Sequence, residues 1–400
     1  MPDQPVGEAR PARFSAPAVA AVAEPSVAGS VVLYRLYDVG YEIQLDQALD
    51  LLGRPRGERG SLRPPGPPRA ESQAIRIENP PITIPLSTER VTLDSDRVAR
   101  SVQVSARIFD FGVVSLRVRV TTPGMLAWQA YSALGNALAL APEIQALFER
   151  HLRELTARIR AAIARPEIAT ITEDYVVYRI DRLTDAAGTA LPPSSLRDVD
   201  VAPLLLDESR PLSPEARQEL LPYWFSYYVD DLAILTWNNA LVVEPLGSDS
   251  DVELVLEFAN AQLLELRYYD ALLDAELPRM YDRIASARRG RGRWIFGHSY
   301  ADLLAAIQTL VADSTEIVER AENSLKVTDD VYLARVHAAA LDLFRGRAWR
   351  RGLDHKLAII RQAYGMLNAE AMARRSELLE GVIILLIVIE IVLALVGGRH

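Results

Sequence analysis

The residue types that carry chemistry in most enzymes are thinly spread in this chain. Five histidines, His151, His298, His337, His355 and His400, stand at spacings that give no H-E-x-x-H and no paired metal ligands. Neither a Walker loop nor G-x-G-x-x-G nor G-x-S-x-G occurs. Three acidic spots remain. Asp110-Phe111-Gly112 spells a kinase metal-binding triplet, but no glycine-rich phosphate loop or H-R-D precedes it, so it reads as a turn between strands. Asp230-Asp231, after "YWFSYYV", reads as a solvated turn. In "KVTDD" at 326–330, Thr328 or Asp329 reads as the cap of a helix that begins at Val331. No catalytic residue, metal site or cofactor is assigned, and a non-enzymatic role is expected.

The positive features are two basic segments flanked by aromatic residues. "RRGRGRW" contributes Arg288, Arg289, Arg291, Arg293 and Trp294; "FRGRAWRRGLDHK" contributes Arg345, Arg347, Trp349, Arg350, Arg351 and Lys356. Guanidinium forks match phosphate oxygens and tryptophan stacks on a base, so both have the content of a surface for an anionic partner. The same content suits a helix end, where cations meet the carbonyl end of the dipole.

A third feature is a lone acid in an apolar run. From Gly381 to Gly398, 13 of 18 residues are Val, Ile or Leu, and Glu390 interrupts them. As a helix the run would be about 27 Å long, close to a bilayer's hydrocarbon thickness. The expectation is a transmembrane helix over 381–398, a C-terminal tail anchor with Arg374 and Arg375 on the cytoplasmic side. Glu390 would then hydrogen-bond across a helix interface in a homo-oligomer. A continuous helix from Leu353 to Glu380 spans about 42 Å, several Debye lengths of about 8 Å. That distance favours RNA, a ribosome or an acidic protein over lipid headgroups as the partner of the second basic segment.

These groups need elements to hold them. The chain has 400 residues, half of them hydrophobic, a net charge of -9 and no cysteine, which allows a sizeable core and excludes disulfides, thiolate metal sites and a thiol nucleophile. Residues 1–30 read as a disordered lead without a signal or transit peptide. "SVVLYRLYD" reads as a strand, followed by a short helix and a Pro-rich loop at 54–72. "SVQVSARIFDFGVVSLRVRV" alternates apolar and polar residues on both sides of a turn, a hairpin with one buried face, and a helix follows from Trp128 to Ala164. "EDYVVYRIDRL" and the hairpin "DLAILTWNNALVVEP", again followed by a helix, repeat that order. The fold class is therefore read as α+β, with two β-α-β-β-α units of common ancestry over 31–165 and 174–288. A helical stalk over 294–380 comes next, with a seam at Leu357, Ile360, Tyr364, Leu367, Ala371, Arg374 and Leu378, and then the membrane helix.

The stretch "KLAIIRQAYGMLNAEAMARRSELLEGVIILLIVIEIVLAL", with "LKVTDDVYLARVHAAALDLF" before it, resembles the C-terminal signature of the domain-of-unknown-function family that includes the required-for-meiotic-nuclear-division proteins. Arg375, Glu380 and Glu390 match the arginine and glutamates of that signature. The resemblance implies a membrane-anchored, oligomeric protein, and its mitochondrial members are linked to protein synthesis at the inner membrane. Without a transit peptide the chain reads as a bacterial member on the inner membrane, its N-terminal bulk in the cytoplasm. The functional expectation is an oligomeric scaffold tethering RNA, a ribosome or a protein; the alternative is an ion-transport subunit with Glu390 in the path.

Overall fold

The computed structural model describes residues 24–53, 75–77, 79–94, 97–208, 210–244, 250–289, 298–323, 325–327 and 330–397, excepting the side chains of 75–77, 283–289, 298–304, 325–327, 370–371, 373–375, 377–378 and 392–397. In chain order the strands are Ser26–Asp38 (β1), Glu42–Ile43 (β2), Ile75–Ile77 (β3), Ile82–Thr92 (β4), Ala99–Ile108 (β5), Val113–Thr121 (β6), Leu126–Ala127 (β7), Ile163–Ala164 (β8), Thr172–Thr184 (β9), Tyr223–Phe225 (β10), Leu232–Leu235 (β11), Asn239–Val243 (β12) and Leu325–Val327 (β13). The helices are Leu45–Leu51 (α1), Trp128–Ala139 (α2), Pro142–Ile159 (α3), Ala202–Leu205 (α4), Pro214–Leu220 (α5), Asp251–Arg289 (α6), His298–Asn323 (α7), Val331–Leu343 (α8) and Gly346–Gly397 (α9).

β1 and β9 are apolar on both faces, the pattern of strands covered on both sides, and they pair antiparallel at the centre of one sheet. The order is β10-β11-β12-β9-β1-β6-β5-β4, with β7 also on β1, nine strands in all. On one face Val31 and Leu33 pack with Trp128 and Tyr131 of α2 and Leu147 and Phe148 of α3. On the other, Val32, Tyr34 and Leu36 pack with Val255 and Phe258 of α6 and Val336 of α8. β5 and β6 differ: Val104, Ala106, Leu116 and Val118 face the first layer, which turns Arg107, Arg117 and Arg119 toward α6. β1 and β9 come so close at a bulge after Ala28 that a Cβ on Gly29 would lie 1.9 Å from the carbonyl oxygen of Arg179.

The α+β class holds, but the repeat does not. β6 joins β1 antiparallel, whereas β12 joins β9 parallel. The two hairpins therefore meet their own leading strands in opposite senses, and strands of both segments form a single mixed sheet instead of two equivalent units. β4 has no counterpart in the sequence reading; it is an edge strand with Pro85 at a register shift, where a missing N–H costs no ladder bond.

The expected tail anchor is also corrected. Among the described residues no helix is long and apolar enough to cross a membrane. The transmembrane helix and the inner-membrane location that rested on it fall together. α9 instead begins at Gly346 and runs unbroken for 52 residues, about 78 Å. Its seam is only in part free: Leu353, Leu357, Ile360, Ala363 and Leu367 are buried with Leu266, Tyr269 and Leu273 of α6 and Ile317 and Val318 of α7.

Candidate functional site

Three polar arrangements stand out on α6 and α9. The first is a buried charge layer between α6 and the sheet. Arg179 of β9 donates to Glu253 Oε1 at 3.0 Å, Arg119 of β6 to Glu253 Oε2 at 3.3 Å, and the Tyr34 hydroxyl of β1 to the same oxygen at 2.9 Å. One turn on, Glu257 accepts from Arg107 of β5. Burial alone would push the Glu253 carboxyl up, but Arg119, Arg179, Arg117 and the Tyr34 hydroxyl outweigh it and hold the group below the usual range. α6 can present these two carboxylates because positions 253 and 257 share a face.

The second arrangement is two acids at the far end of the same contact. Asp38, the last residue of β1, and Glu265 of α6 are 5% and 1% exposed. Asp38 Oδ1 accepts from the Gly40 N–H at 3.1 Å, while Glu265 Oε1 has no hydrogen-bond partner. Among the described residues no Lys, Arg or His pairs with either. Burial, with Glu167 nearby, pushes Asp38 up to about 7 against the Gly40 bond; burial and Asp38 push Glu265 well above the carboxylate range. Such a pair holds a proton at neutral pH, but it is closed to a substrate. Nearby Glu173, which accepts from Arg267 of α6, is pushed by burial up to about 7 despite that partner.

The third is the corner between α8 and α9. Arg345 turns the chain with a left-handed φ of 53° and lies 5.8 Å over the ring of Trp237, which sits in the β11–β12 turn. Arg350 is held by Glu322 and Asp354, and Arg351 donates to the Arg347 carbonyl. Trp349 packs into the interior with Arg267 over it, so it is not presented for stacking. Lys356 joins Asp270 and Asp274 of α6 at 2.7 Å. Arg345, Arg347 and Arg351 are exposed. Arg288 and Arg289 end α6, with side chains outside the described set; Arg291, Arg293 and Trp294 lie outside the described residues altogether. The structure thus joins Arg345 to a tryptophan that the sequence reading missed, through a contact 108 positions away in the chain that no local pattern signals.

The acidic spots resolve as local structure. Asp231 accepts from the Tyr227 N–H at 2.7 Å, and Asp330 caps α8 by accepting from Tyr332 and Leu333. His151 sits beside Ser87 and Glu89, and His337 beside Gln262, where burial pushes its ring down to about 4. Among the described residues no group of three or more His, Cys, Asp or Glu side chains could hold a metal ion.

Beyond Leu367, α9 leaves the body. Met366, Met372 and Leu379 are exposed, and Val382 to Ile389 and Ile391 are each 45–59% exposed, so no side of the helix is covered. Glu380 and Glu390 are exposed as well; Arg374 and Arg375 lie on the same free stretch, their side chains outside the described set.

Residues 28–250 match the family described as the N-terminal domain of the uncharacterized protein MJ0711. That protein, from Methanocaldococcus jannaschii, is 24% identical over 226 residues, 56% of this chain and 66% of the relative. The chain therefore spans just under two thirds of the relative's length. No solved structure matches. The resemblance to the required-for-meiotic-nuclear-division proteins is overturned: it rested on residues 250–397, where an Ile-rich helix with one acid is a pattern that composition alone can produce. The family match instead covers the sheet, β1 through β12, and stops where α6 begins. The chain belongs to the MJ0711 N-terminal-domain family.

Proposed function

We propose that this family member is a non-enzymatic assembly protein, an α+β body that associates through the free half of α9. The observation that carries the reading is the helix itself. It is anchored in the body as far as Leu367 and then presents exposed apolar side chains through Ile391. Scattered apolar residues on a surface need no explanation, but a contiguous apolar patch marks an interaction site. Two further features support a role without catalysis. The carboxyl pair with a raised proton affinity, Asp38 and Glu265, is shut away from solvent, and the charge layer at Glu253 is satisfied by groups of the chain itself.

The test is removal of residues 369–400. The three buried clusters end at Leu367, so the shortened chain should keep the circular dichroism and the cooperative unfolding of the parent. Light scattering should then show a monomer where the parent shows an oligomer. An unchanged oligomer would place association on another surface.

A further inference from the structure

α7 and α9 leave between them a groove of about 480 Å³ lined by Ile307, Val311, Ala312, Thr315, Arg361 and Tyr364 among others. Gln308 donates to the Tyr364 hydroxyl at 2.7 Å and Arg361 to Thr315 Oγ1 at 3.3 Å, so the two helices run antiparallel along it. We propose that this groove receives the apolar end of α9, near Gly381–Ile391, from a second copy of the chain, the two copies being related by a two-fold axis. The inference rests on the assembly reading above and names its surface.

Three observations select that occupant. The first is length. Along α7 the groove runs from Ile307 to Glu319, about 18 Å of helix, and Gly381–Ile391 is about 16 Å. The second is charge. Glu390 is the one charged residue between Gly381 and Ile391, and Arg361 is the groove's cation, with no carboxylate partner among the described residues. Of the groove's two acids, Glu316 is already held by Arg320 and by the Tyr41 hydroxyl, and Glu319 lies a turn beyond Thr315. The third is closure. Arg361 and Glu390 lie on one unbroken helix, about 44 Å apart along its axis. When two copies of α9 run antiparallel, each end meets the other copy's groove, so both contacts form at once and no sticky end remains. That is the self-complementary geometry of a two-fold dimer, whereas a head-to-tail contact would grow into a filament.

The experiment uses the full chain, with its molar mass followed by sedimentation over a range of concentrations. The parent should be a dimer. Arg361→Glu and Glu390→Arg should each weaken the dimer at least about tenfold, by setting like charges against each other at two places. The double variant should return to within about threefold of the parent. Because the chain has no cysteine, Ala312→Cys combined with Ile387→Cys, one turn from Glu390 on the same face, gives a second reading independent of charge: a disulfide between copies on a non-reducing gel. Single variants as tight as the parent, a double variant no tighter than the singles, or a cysteine pair that stays uncrosslinked would each overturn the groove assignment. If removing residues 369–400 abolishes the dimer while the charge swap does nothing, the assembly reading stands and the groove falls. If the shortened chain still dimerises, the assembly reading falls with it.

Discussion

Glu253 shows how a single residue ties two layers together. It accepts from Arg179, Arg119 and Tyr34, three groups on three different strands, of which Arg179 and Tyr34 are enclosed and Arg119 partly so. Such a pair adds little over an apolar contact of equal shape, but removing one partner strands the others in a dry interface, at about 3–5 kcal/mol. Glu253→Ala should therefore lower the unfolding free energy by about that amount in urea titrations, and Glu253→Gln by less, since the amide oxygen still accepts. Asp38 and Glu265 act oppositely. Their folded proton affinities are raised, so the native chain binds more protons than the unfolded one between about pH 4 and pH 7. Their stabilisation is fully present below about pH 4, and the Asp38 part is lost as pH rises through about 7. Glu265→Gln keeps the neutral form at every pH, so its melting temperature should exceed the parent's at pH 8 and approach it below about pH 4. Identical curves for the two chains would remove the pair from the pH dependence. Little of this is legible in the sequence. The alternation in "LRVRV" does show Arg117 and Arg119 on one face, and Glu253 and Glu257 do interrupt an apolar helix. That these groups meet depends on β6, β1 and β9 lying side by side under α6, which brings Tyr34 to Glu253 across 219 positions.

At the scale of elements, what is legible is what alternates. The hairpins β5–β6 and β11–β12 and the strands β1 and β9 follow from period-two or doubly apolar patterns. β4 escapes because Pro80, Pro81 and Pro85 argue against a central strand, and it is an edge. The start of α9 escapes because Gly352 reads as the break before a helix that begins at Leu353. It stands instead inside the helix, where a Cβ would meet Asp270 Oδ1 of α6 at 3.5 Å, an ordinary contact. Gly29, at the centre of the sheet, leaves no such room. Its N–H donates to Thr122 Oγ1 and its carbonyl accepts from the Thr122 N–H, while the Arg179 carbonyl fills the place of a side chain. Gly29→Ala should push β1 away from β9 at the bulge and cost about 1–3 kcal/mol, as overpacking of a tight interior does. Gly53→Ala makes a useful comparison, since it has open space around it but a φ of 71°, so only backbone strain acts there. The melting temperature should fall further for Gly29→Ala.

For the whole molecule, the boundary of the family match and the boundary of the folded body do not coincide. The match ends at residue 250, yet the second face of the sheet is covered by helices C-terminal to that point. Val255, Phe258 and Leu264 of α6 and Val336, Ala340 and Phe344 of the α8 region bury Val32, Leu36, Val177 and Val242. α6 also supplies the carboxylates for Arg107, Arg119 and Arg179. A chain cut after residue 250 would leave an apolar sheet face open, Arg107 and Arg119 without the α6 carboxylates, and Arg179 with Asp181 but without Glu253, a loss that no capping of the remaining helices offsets. A chain cut after Asn368 would keep all three clusters. The expectation is that residues 24–368 unfold in one cooperative step with native near-ultraviolet dichroism. Residues 24–250 should lack that dichroism, bind a hydrophobic dye and melt without a sharp transition. Cooperative unfolding of the 24–250 piece at the parent's midpoint would mean that α6 and α8 rest on a sheet already complete without them. The charge layer would then be a contact between two separately stable parts, and Glu253→Ala would move the docking of α6 without moving the melting of the sheet.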